Sequence, residues 1–145
     1  MSFLALTVMG KRNIAVGLLF LAAFMVYGFV LIYLRDFAPG KAEWVASYST
    51  GAHFESRLAH VHGNLFALLN VVMGYLLYRL PYGPRAALGV SWLAILGMLM
   101  PVGILAEVLF GAPPVFVLIG GLSMVAAVSW LGAASFTLPA SGLSS

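Results

Sequence analysis

Asn13–Leu34, NIAVGLLFLAAFMVYGFVLIYL, is 22 residues without a charge. At the rise of an α-helix it reaches across the hydrocarbon of a bilayer, for which roughly 20 residues are needed. Backbone N–H and C=O groups in lipid find no water, so a lone segment of this kind satisfies them within itself, as a helix. A chain carrying such a stretch is expected to be an integral membrane protein.

Three further apolar runs follow, Val61–Leu80, Ala86–Phe110 and Val115–Phe136. The spacing predicts an all-α fold, an antiparallel up-down four-helix bundle forming a single membrane domain over residues 1–145. Composition agrees, since 63% of the residues are hydrophobic and 8% charged, far from the balance of a soluble domain. Lys11-Arg12 before the first run resembles the basic end of a signal peptide. The run is too long for one and lacks a small-residue cleavage site, so it reads as a retained anchor.

Loop charges orient the predicted bundle. Lys11, Arg12, Arg79 and Arg85 fall on one face; Arg35, Lys41 and Arg57, with Asp36, Glu43 and Glu55, fall on the other. The positive excess on the first face places both termini in the cytoplasm and the protein in the inner (plasma) membrane. There is no basic run for nucleic acid to meet, and no cysteine for disulfides, iron–sulfur clusters or thiolate catalysis. The 35–59 connection is long enough to hold a short interfacial helix, with Trp44, Val45 and Tyr48 on one side. The tail LPASGLSS reads as poorly ordered.

Chemistry-bearing residues concentrate at one end of this plan. The second run opens RLAHVHGN, Arg57–Asn64, and carries Gly63, Ala67, Asn70 and Gly74 as a stripe of small or polar residues on which another helix can pack closely. An amide at Asn70, in mid-membrane, needs a partner or a polar cavity. The third run contains Pro101 between Gly97 and Gly103, which predicts a kink. Near its end is Glu107, the one acid within the four runs and thus a functional candidate. Antiparallel topology puts Glu107 at the depth of His60, His62 and Asn64, with Tyr33 and Arg35 close by.

His60 and His62 project roughly 200° apart on a helix and are poorly placed to grip one metal ion together. With no cysteine and few acids, a closed zinc site is disfavoured. One histidine as the single axial ligand of haem fits better, the other making hydrogen bonds or sitting at the interface; Arg57 or Lys41 would meet the propionates. The plain alternative is that both histidines anchor a helix end among the headgroups.

At these residues the chain resembles the styrene oxide isomerase family, small four-span membrane enzymes carrying haem b. APGKAEW (38–44), RLAHVHGN (57–64) and VGILAEVLF (102–110) carry the resemblance, together with helix order and length. It implies that a histidine early in the second helix ligates ferric haem, and that the open iron acts as Lewis acid on an epoxide, whose ring opening and 1,2-hydride shift give an aldehyde. It also implies a homotrimer, with haem near the subunit interfaces and a small hydrophobic substrate arriving from the membrane lipid. His60 matches the family's Ala-His context after an arginine, while His62 matches the distance to the proline that ends the helix, here Pro81; both stay as candidate ligands. Asn64 and Asn70 are the amides available for the family's asparagine. The family's third-helix tyrosine is replaced by Leu105, with Glu107 nearby. Four-span glutathione-transferring enzymes share an arginine and a histidine near a helix start, but their asparagine and glutamate spacing is absent. The competing class is a non-catalytic accessory subunit, haem-containing or haem-free, of a larger membrane complex.

Overall fold

The computed structural model describes residues 3–138, with side chains from residue 8 onward. Every regular element in this range is helical: α1 (Phe3–Asp36), α2 (Lys41–Ala46), α3 (Gly51–Arg79), α4 (Pro84–Gly97), α5 (Leu99–Phe110) and α6 (Val115–Ser135). Four helical stretches are long and apolar enough to cross a membrane: Val8–Asp36, Gly51–Arg79, Pro84–Phe110 and Val115–Ser135. The expectation for the tail beyond residue 138 lies outside the described residues.

Two helix starts differ from expectation by ten residues. The first helix runs back to Phe3, so Lys11 and Arg12 are inside it and not before it. More consequentially, the second starts at Gly51 instead of Val61, leaving only Phe37–Thr50 as connection, with α2 within it. Hydropathy ends where residues turn polar, but helicity does not: AHFESRL (52–58) contains no glycine or proline, and Thr50, extended at φ −142°, begins the helix. His53, Ser56 and Ala59 are buried by this added part.

The third span divides at Met98, whose N–H bonds the Ile95 carbonyl. Pro101 lies three residues on and has no N–H for the Gly97 carbonyl, which is where the predicted kink originates. The αL glycine Gly111, at φ 65°, stops α5, and Pro113-Pro114 lead into α6.

Close glycine contacts set the packing. A β-carbon on Gly10 would lie 2.7 Å from the Gly74 carbonyl oxygen, and one on Gly17 would lie 2.7 Å from that of Ala67. Further along, Gly63 meets the ring of Phe24, and Gly28 meets His60. The partner numbers fall as the α1 numbers rise, so α1 and α3 run antiparallel along a shared small-residue seam. The α4–α5 stretch pairs antiparallel with α6 in the same manner, Gly97 on Met124 and Gly103 on Phe116 and Val117. Between the pairs lies an apolar core of Phe66, Met73, Leu77, Val90, Met98, Met124 and Leu131. The outward surface is also apolar, with Leu19, Phe29, Leu68, Leu122 and Val125 exposed, as lipid contact requires.

Candidate functional site

The early start of α3 puts His53, Arg57, His60 and Asn64 on one helix face, since their spacing is four, three and four. All four line one cavity of about 700 Å³. Its opposite wall is α1, through Met25, Gly28, Phe29 and Ile32, and its outer side is closed by Val45 and Tyr48 with Arg35 at the rim. Apolar walls thus surround a polar stripe, a combination suited to a ligand whose orientation is fixed by a few polar contacts.

His60 occupies the inner part of the stripe. Its ring is half-buried, and only the absence of a side chain at Gly28 lets α1 approach it: a β-carbon there would be 2.9 Å from Cε1. Tyr27 tilts against the ring with centroids 6.3 Å apart, and Phe24 stands edge-on to Tyr27. Asn64 donates to the His60 backbone carbonyl at 2.9 Å and keeps its amide nitrogen 3.4 Å from both ring nitrogens. Contacts that long and equally shared leave both nitrogens able to take a better partner.

His62 is directed elsewhere. Its Nδ1–H donates to the Leu58 carbonyl at 2.9 Å, its ring packs edge-on to Phe66, and it does not line the cavity. The roughly 200° separation of the two histidines is therefore realised as two environments, with His60 facing α1.

The other predicted residues divide as well. Arg57 joins the site: its guanidinium sits 3.6 Å over the Tyr48 ring and donates to the Tyr48 carbonyl at 3.2 Å. Asn70 does not. It is fully buried, donates to the Phe66 and Ala94 carbonyls at 3.1 and 2.9 Å, and accepts from Asn13 at 3.1 Å. Asn13 in turn bonds Ser91, whose hydroxyl receives Arg12 at 2.8 Å. This network ties α1, α3 and α4 together, and leaves Asn70 no spare donor for a substrate. Glu107 is not among the cavity's lining residues either; its Oε1 is buried without a hydrogen-bond partner. Asn70 and Glu107 thus lie apart from the cavity that His60 lines: helix phase turns Asn70 into the α1–α4 seam, and α5 packs on α3 and α6.

Hydropathy alone assigns His53 to the 35–59 connection. Helix phase was the signal that identifies it, because it lies seven residues before His60. It is 5% exposed, stacks on Trp44 with centroids 4.4 Å apart, and its Nδ1–H donates to the Trp44 carbonyl at 2.5 Å. Tyr48 meets the same ring edge-on. Together with the Arg57–Tyr48 contact this fastens α2 over the cavity, between Gly40 and Gly51, both at positive φ.

No group of three or more histidine, cysteine or acidic side chains is gathered for a metal ion among the described residues. A second cavity of about 610 Å³, beside Pro81–Ala86 and Trp130, is lined by no histidine or acid. Comparison with family models, with curated proteins and with solved structures returned no match to this chain.

Proposed function

We propose that this chain is a haem b-binding integral membrane protein resembling styrene oxide isomerase, which isomerises a small hydrophobic epoxide to an aldehyde. In this reading its four spans form an up-down bundle in the inner membrane with both termini cytoplasmic, and three copies assemble. The observation that carries the proposal is the imidazole of His60, uncommitted at both nitrogens inside an apolar-walled cavity.

Donor chemistry supports the choice of cofactor. A bare transition ion is ordinarily held by three or four protein ligands, whereas a metal in a macrocycle needs one from the protein. The cavity offers one such imidazole in its inner part, apolar walls, and Arg57 at the rim for acidic substituents, Arg35 there being paired with Asp36. When bound, ferric haem with a single histidine ligand supplies a Lewis acid that polarises oxygen without redox turnover.

The chain's own residues do the rest. His60 would hold the iron; Gly28 leaves room for the imidazole; Asn64 sits beside His60 on the helix and bonds the His60 carbonyl. Met25, Phe29 and Ile32 keep water from an epoxide that would otherwise be hydrolysed. Access from the lipid is natural, because the same side chains lie at the membrane-facing surface of α1.

Absorption of detergent-purified protein, oxidised and then reduced, tests the reading. A Soret band that persists in His62→Ala and is lost in His60→Ala, with aldehyde formed from styrene oxide, is the expected result. Absence of the band in the intact protein overturns the proposal, and its absence with stable co-purification of a larger membrane partner supports the accessory-subunit class instead.

A further inference from the structure

His53 has no part in holding iron, yet it is a buried imidazole opening on the same cavity. Its Nδ1 faces the Trp44 carbonyl oxygen, which can only accept, so the ring proton of the neutral form is on Nδ1. Nε2 then carries a lone pair. It has no hydrogen-bond partner among the described residues and is not sealed from the cavity. Because His53 lines the cavity, that lone pair is open to a ligand that brings a proton to it.

Arg57 is one helical turn further along the same face. Arg35, across the rim, is already paired with Asp36 at 2.7 Å, while Arg57 meets no acid among the described residues. The outer end of the cavity thus offers one uncompensated guanidinium beside one lone-pair nitrogen. A carboxyl group matches that pair: one oxygen accepts from the guanidinium, and the other shares a single proton with Nε2. A phosphodiester has no proton to give the imidazole and is the poorer match.

We infer that the outer end of this cavity is a carboxyl-binding site, in which His53 and Arg57 recognise the acid end of an amphipathic ligand. The ligand's apolar part lies inward against Met25, Phe29 and Ile32, toward His60, about 10 Å along the helix from His53. The inference uses the cavity of the preceding proposal and names the chemistry at its other end, but it does not depend on iron. The acid end belongs either to a tetrapyrrole or to a fatty acid from the surrounding lipid.

The test compares acids with their esters, all free of metal: protoporphyrin IX against its dimethyl ester, and oleic acid against methyl oleate. Each is titrated into full-length protein in detergent, and dissociation constants are read from tryptophan fluorescence. In at least one pair the acid binds about tenfold more tightly than the ester. His53→Phe, which keeps an aromatic partner for Trp44, and Arg57→Gln each cut that ratio to about twofold or less, acid affinity falling more than ester affinity. Gly132→Ala, away from the cavity, leaves the ratio as it was. A preference for the porphyrin acid alone assigns the site to a tetrapyrrole, and for oleic acid alone to a lipid acid. Equal binding of acid and ester in both pairs, no binding of either acid, or an unchanged ratio in His53→Phe overturns the inference. Because no iron is present, a missing Soret band and a missing acid preference are separate results.

Discussion

The imidazole of His60 lies over Gly28, where a β-carbon would come within 2.9 Å of Cε1. A side chain at residue 28 therefore has to push the ring out of the cavity or move α1 away from α3. Gly28→Val is expected to remove most of the Soret absorbance at unchanged helical circular dichroism. Retention of a full-strength band in that variant would show that His60 does not hold the iron.

Asn64 and Asn70 are expected to separate function from stability. Asn70→Ala takes away three hydrogen bonds, one of them from Asn13, which keeps its bonds to Ser91; the change costs about 1–2 kcal/mol and leaves the Soret band in place. Asn64→Ala is expected to do the reverse, altering the band position or the rate of epoxide isomerisation with little change in unfolding. Thermal unfolding in detergent, followed beside the absorption spectrum, distinguishes the two.

Glycine positions should respond according to what faces them. At Gly17 the neighbour is the Ala67 carbonyl, and at Gly120 it is the backbone of Met100 just past the helix break; neither can turn aside. Gly17→Leu and Gly120→Ala are expected to destabilise by about 1–3 kcal/mol, measured as a lower unfolding midpoint. Gly132 has nothing within 4 Å, so Gly132→Ala is expected to be neutral or slightly stabilising.

Removing Trp44 should loosen the cover of the cavity. The helix α2 buries none of its residues and is fastened by the His53–Trp44 stack and the Arg57–Tyr48 contact. Trp44→Ala is expected to raise amide exchange across residues 41–50 and to speed release of bound ligand, while exchange in α3 beyond Asn64 stays slow.

Much of the architecture was legible in the residues. Four apolar runs appear in the structure as four helical stretches of spanning length, and Pro101 predicts the break found at Met98. Hydropathy misplaced the start of α3 by ten residues, from Val61 to Gly51, because it tracks lipid contact and not backbone conformation. That shift matters beyond bookkeeping, since it moves His53 from a loop onto the face of Arg57, His60 and Asn64.

By itself the sequence determined that the chain carries four apolar segments long enough to cross a bilayer and that these are helices, because an apolar segment in lipid has no other way to satisfy its backbone. It also determined that His60 and His62 point in different directions, a consequence of helical pitch alone. Which of them faces a cavity was decided by tertiary structure: α1 approaches α3 only where Gly10, Gly17 and Gly28 permit, and that seam selects the side bearing His60. The same packing sent Asn70 into a buried network and left Glu107 outside the cavity, outcomes that depend on how helices distant in sequence turn toward one another.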